Sequence, residues 1–89
     1  MGHKENIHIS RKRARKAGWI IGIDWDEIDF EQFYMGINVE LEHGTRFGCK
    51  TNVTNNNPVT TGRIALAHLY EIPDYYTRLQ IMEESAKNK

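Results

Sequence analysis

Pro58-Val59-Thr60-Thr61-Gly62-Arg63-Ile64-Ala65-Leu66-Ala67-His68-Leu69-Tyr70-Glu71 is the stretch on which the fold turns. Proline suits the first turn of a helix, where its missing N–H would have no partner in any case, and either Asn57 or Thr60 can cap that turn. Val59, Ala65, Leu66 and Leu69 fall on one side at helical spacing, while Ile64 and Ala67 fall on the other. The spacing predicts a helix over 58 to 71 that is apolar nearly all round and therefore the central, most buried one. Pro73 ends it and starts another.

Working outward from that helix, Phe30, Phe33, Ile37 and Leu41 recur at the same period and predict a helix over 30 to 43. Asp29 followed by Gln32 resembles a capping box at its start, and Gly44 terminates it. Ser10 is placed to cap a helix over 11 to 22, with Ala14, Ala17 and Ile21 inward and Gly22 at the end. Trp25 and Ile28 anchor the connection between these two. Beyond Pro73, Tyr75, Tyr76, Leu79 and Met82 form the inward stripe of a helix over 74 to 85. Residues 45 to 57, rich in Asn, Thr and Gly, read as a long polar loop. Residues 1 to 9 read as a loose arm and 85 to 89 as a frayed tail. The expectation is one all-α domain over 1 to 89, a compact bundle of four short helices whose core includes Phe33, Ile37, Leu41, Leu66, Leu69, Leu79 and Met82.

With 89 residues the chain has room for a single core, of modest stability unless a ligand, a metal or a second copy contributes. The lone Cys49 excludes an intrachain disulfide, and no apolar run is long enough for a membrane span or a signal peptide, so the chain reads as cytoplasmic with no membrane role. The Asn52-Val53-Thr54 sequon carries no weight in that setting. Net charge is zero, yet a basic run of Arg11, Lys12, Arg13, Arg15 and Lys16 precedes an acidic one of Asp24, Asp26, Glu27, Asp29 and Glu31. The two runs are able to offset each other.

Glu40 and His43 stand three residues apart, and His68 and Glu71 repeat the spacing in reverse order. On a helix this spacing brings the two side chains to one flank, and two such flanks facing each other resemble the half-sites of a di-iron carboxylate bundle. Imidazole and carboxylate together suit zinc, iron or manganese, with Asp74 able to add an oxygen ligand. Glu40, His43, His68, Glu71 and Asp74 are accordingly candidate ligands for one divalent metal. The competing expectation is a structural hydrogen-bond network among the same residues.

The second candidate surface is the basic run itself, Arg11, Lys12, Arg13, Arg15 and Lys16, with Trp19 close behind. Such a surface meets an acidic protein partner, or contacts phosphates while Trp19 stacks on a base. Zero net charge weakens the nucleic-acid reading. A catalytic set is not readable: there is no nucleophile elbow, no triad order and no glycine-rich phosphate loop after a strand.

Gly36-Ile37-Asn38-Val39-Glu40-Leu41-Glu42-His43-Gly44, Thr51-Asn52-Val53-Thr54 and the run from Thr61 through Leu69 into Ile72-Pro73-Asp74-Tyr75-Tyr76-Thr77-Arg78-Leu79 resemble an uncharacterised family of small bacterial and tailed-phage proteins, a domain of unknown function. The likeness spans about residues 11 to 84. It implies a bacterial or phage origin and a cytoplasmic setting, and no activity. Taken together, the residues and the resemblance lead to a small binding or adaptor module that contacts another protein, or itself as a homodimer, with metal binding and nucleic-acid binding as the alternatives.

Overall fold

In the computed structural model, which describes residues 7–87, the helices run Arg11–Ile21 (α1), Phe30–Val39 (α2), Pro58–Glu71 (α3) and Tyr75–Lys87 (α4), and a 3-10 turn, Glu40–His43, prolongs α2. No strand occurs among the described residues. The N-termini of α1, α2 and α3 are set by the residue chemistry that marked them. Ser10 Oγ accepts from Arg13 N–H at 3.2 Å, Asp29 Oδ2 from Gln32 N–H at 3.1 Å, and Asn57 Oδ1 from Thr60 N–H at 3.0 Å. Asn57, not Thr60, is therefore the cap before Pro58. Gly22 closes α1 in the left-handed region at φ 89°, where a side chain would add strain.

The central position of α3 holds, since it packs against both α1 and α2. Its burial differs from the expectation. Thr61, Gly62, Ala65 and Leu69 are buried, an arc of about 100° by the helical period. Ile64 and Leu66 are half-buried and Arg63, Ala67 and Tyr70 face solvent. Small residues own the buried arc because the neighbours come close: a Cβ on Gly62 would stand 3.0 Å from both Ile21 Cδ1 and Phe33 Cζ. Bulk reaches this interface from α1 and α2, and Phe33 and Ile37 are fully buried.

Further expectations are corrected. The α-helix of α2 ends at Val39, and the last four residues tighten into the 3-10 turn. Ile9, expected in a loose arm, is core: its N–H donates to Asn38 Oδ1 at 2.7 Å and its carbonyl accepts from Asn38 Nδ2 at 2.9 Å. Ile7 packs against the core and His8 Nε2 lies 3.0 Å from the Tyr34 hydroxyl, while residues 1–6 lie outside the described residues. Of the tail expected to fray over 85–89, residues 85–87 are the last turn of α4 and 88–89 lie outside the described residues. Met82, expected inward, is 60% exposed because it lies about 120° around α4 from Tyr76, the buried residue of that helix. Gln32 does not complete a capping box. Its Nε2 donates to Thr77 Oγ1 at 2.6 Å and its Oε1 accepts from Tyr76 N–H at 3.2 Å, so it caps the first turn of α4 instead.

The bond from Gln32 to α4 and the burial of Tyr76 are what dock the last helix, for Tyr76 is the one buried residue of α4. Its ring lies on Gly36, where an added Cβ would come within 2.3 Å of Tyr76 Cε2. In the loop, Asn56 Nδ2 donates to Thr45 Oγ1 at 2.8 Å and Asn56 Oδ1 accepts from Thr45 N–H at 3.0 Å, so both ends of the polar segment are tied together.

Candidate functional site

The 3-10 turn determines where Glu40 points. With three residues per turn, residues at i and i+3 eclipse, so Glu40 and His43 share one edge. Glu40 is buried at 4% exposure and its Oε1 lies 3.1 Å from His43 Nε2. Its Oε2 accepts from the Tyr76 hydroxyl at 2.6 Å and lies 3.6 Å from His68 Nε2, which α3 delivers. Tyr75 stacks on the His68 imidazole at 4.4 Å between centroids, with the rings 5° from parallel. One buried carboxylate is thus held by a phenol from α4 and approached by imidazoles from the 3-10 turn and α3. A buried carboxylate without partners costs several kcal/mol, and this arrangement removes most of that cost.

Tyr76 is the member that residue spacing did not single out for this site, although its inward position was legible. Its signal was an aromatic residue of the inward stripe carrying a hydroxyl that needs a partner once buried. Burial, and then the hydrogen bond and the negative charge of Glu40, push its phenol well above the ordinary value of 10.0. The folded state therefore keeps the neutral phenol while the unfolded chain begins to ionise it near pH 10, so this contribution is present below about pH 10 and is lost as pH rises beyond it. In an alkaline titration the tyrosinate absorbance that Tyr76→Phe removes is expected to develop only as the protein unfolds. Its appearance in the folded protein at the usual pH would contradict the geometry.

Of the five candidate metal ligands, the structure brings Glu40, His43 and His68 together and leaves out the other two. Glu71 is exposed at the last turn of α3, since a step of three residues rotates it about 60° from His68, away from the core. Asp74 is exposed and accepts from Arg78 Nε at 2.7 Å, an ion pair that lowers its carboxyl below the ordinary range. Among the described residues no group of three or more His, Cys, Asp or Glu side chains is spaced to hold a metal ion. Within the cluster the hydrogen bond from Tyr76 to Glu40 ties α4 to the 3-10 turn, and His68 of α3 lies beside that pair at 3.6 Å.

The basic run divides into two faces. Arg11 forms a bidentate ion pair with Glu31, and its guanidinium lies over Tyr34 at 4.9 Å and Phe30 at 5.3 Å. Arg15 lies over Phe30 at 3.9 Å and Trp25 at 5.8 Å. These two are bound to the aromatic surface of α2 and its approach, as cations over ring faces are. Lys12, Arg13 and Lys16 are exposed, and Trp19, seven residues after Lys12, joins Lys12 and Lys16 on the outward side of α1. Trp19 is 79% exposed and Ile20 50%. Beside them a groove of about 270 Å³ runs between α1 and the start of α3, floored by Ala17, Ile20, Pro58 and Val59 and rimmed by Arg13 and Lys16. Ile20 and the Pro58-Val59 floor were not predicted, because they meet only when α3 packs on α1.

No helix among the described residues is long and apolar enough to cross a membrane. No curated protein matches the chain in sequence, and no solved structure matches it. Residues 14–85, which take in all of α2 and α3 and most of α1 and α4, match the model of a family described as protein of unknown function (DUF5661), and the chain belongs to that family.

Proposed function

We propose that the chain is a small cytoplasmic binding or adaptor module of bacterial or phage origin, and that it acts through protein contacts made by the outward face of α1. The observation that carries this reading is Trp19, left 79% exposed on the same helix face as Lys12 and Lys16, which, with Arg13, have no ring or carboxylate beneath them among the described residues, unlike Arg11 and Arg15. Tryptophan is the side chain most enriched at the energetic centre of interfaces, and a positively charged rim steers an oppositely charged partner toward it. The adjoining groove has an apolar floor and a cationic rim, which fits an acidic segment that inserts one apolar side chain. A nucleic acid would meet the same cations, but the chain has zero net charge and Arg11 and Arg15 are already engaged.

The test compares affinity capture from a bacterial lysate with the parent chain and with Lys12→Glu/Lys16→Glu as baits. The partner retained by the parent chain is expected to be acidic, to bind about tenfold more weakly to the double variant, and to weaken further as salt is raised. A partner held equally by both baits at all salt concentrations would remove this face from consideration. Retention of nucleic acid in place of protein, with the steep salt dependence of counterion release, would replace this reading with the nucleic-acid one.

A further inference from the structure

We infer that α4 pairs side by side with α4 of a second copy of this chain, the two helices running parallel. Tyr75, Leu79, Met82 and Ala86 of α4 follow one another at steps of four, three and four residues, the spacing of a coiled-coil seam, and Ile72, just past the end of α3, extends the apolar strip. Apart from the face of Tyr75 that stacks on His68, the structure leaves that seam open to solvent. Tyr76 is the one buried residue of α4, on the side turned to α2, whereas Tyr75 and Leu79 are half-buried and Ile72 and Met82 are 39% and 60% exposed. A shallow groove of about 190 Å³ runs along it, lined by Ile72, Tyr75, Arg78, Leu79 and Met82.

The flanks of the seam name the occupant. Arg78 directly precedes Leu79 and Glu83 directly follows Met82, so one border of the seam is basic and the other acidic. In a parallel pair, the residue just before one seam position faces the residue five further along in the partner helix. That rule sets Arg78 against Glu83 of the partner subunit, and the twofold axis repeats the pair on the other side. An antiparallel pair would set like border against like border and leave both charges unmatched. Arg78 also donates from Nε to Asp74, yet its side chain is 69% exposed, which leaves the outer edge of the guanidinium for a second carboxylate. A seam of four helical positions makes a small interface, so the dimer is expected to be reversible and dependent on concentration. This surface is separate from the outward face of α1, and the two readings stand or fall independently.

The test is sedimentation of the full chain across a dilution series from millimolar to micromolar. The parent chain is expected to pass from dimer to monomer. Arg78→Glu alone and Glu83→Arg alone should each weaken the dimer about tenfold by placing like charges across the seam. The Arg78→Glu/Glu83→Arg combination should restore it, because the swap recreates the pair with its polarity reversed. Met82→Glu should leave only monomer. The three positions changed, 78, 82 and 83, are exposed, and thermal melts read by circular dichroism verify that each variant folds. A parent chain that is monomeric throughout, a dimer indifferent to Met82→Glu, or a double swap that fails to restore association would each overturn the proposal.

Discussion

Tyr76→Ala is expected to lower the unfolding free energy by about 3–5 kcal/mol, the range for truncating a large buried aromatic. The value is large for this chain because domains of this kind hold only about 5–15 kcal/mol in total, and one this short sits toward the lower end. Three losses coincide at the position. The ring that fills the space over Gly36 disappears, the donor to Glu40 disappears, and α4 keeps no buried side chain on the body. Tyr76→Phe separates the first from the second. It keeps the ring and leaves the buried Glu40 carboxylate short of a donor, a change expected to cost about 1–3 kcal/mol. Gly36→Ala should fall in the same range or above it from the opposite direction, by forcing a Cβ into a ring that has no room to retreat. Chemical denaturation of the three variants ranks these effects. A Tyr76→Ala protein as stable as the parent would mean that α4 does not dock through this residue.

Trp19→Ala is expected to weaken partner binding by about 30-fold or more, the loss of about 2 kcal/mol that defines an interface hot spot. The same substitution should leave stability within about 0.5 kcal/mol of the parent, since the side chain is exposed and touches no part of the core. The contrast with Tyr76 is the informative part: on the proposed reading Tyr76→Ala lowers stability and Trp19→Ala lowers binding alone. Trp25 supplies the internal control. Its ring is half-buried against Gly18, Phe30 and Phe33, so Trp25→Ala should unfold the approach to α2 and reduce binding only through stability.

The caps at Ser10, Asp29 and Asn57 and the stop at Gly22 were legible in the sequence because each depends on one side chain and the backbone next to it. The apolar period of Phe30, Phe33, Ile37 and Leu41 was legible for the same reason, and all four are buried. What failed depended on distance across the fold. Composition made α3 look apolar all round, but only the closeness of α1 and α2 decides that Gly62 and Ala65 face inward while Leu66 stays at the edge. Ile9 looked like part of an arm because nothing local marks it, and its anchor, Asn38, is 29 residues away. In the Glu and His constellation, the meeting of Glu40, His43 and His68 was legible from helical spacing. The exclusion of Glu71 and the entry of Tyr76 were not, since the first follows from the rotation at the end of α3 and the second from the docking of α4.

The role given to the outward face of α1 is tested most directly by covalent capture in cells. A photo-reactive amino acid placed at position 19 stands where the account puts the centre of the contact, and one placed at position 63, exposed on the far side of α3, stands away from it. Irradiation is expected to yield one predominant protein adduct from position 19, none from position 63, and a marked loss of the first when Lys12→Glu and Lys16→Glu are added. Equal labelling from both positions, or no adduct at position 19 from cells in which the chain is folded and abundant, would contradict the account.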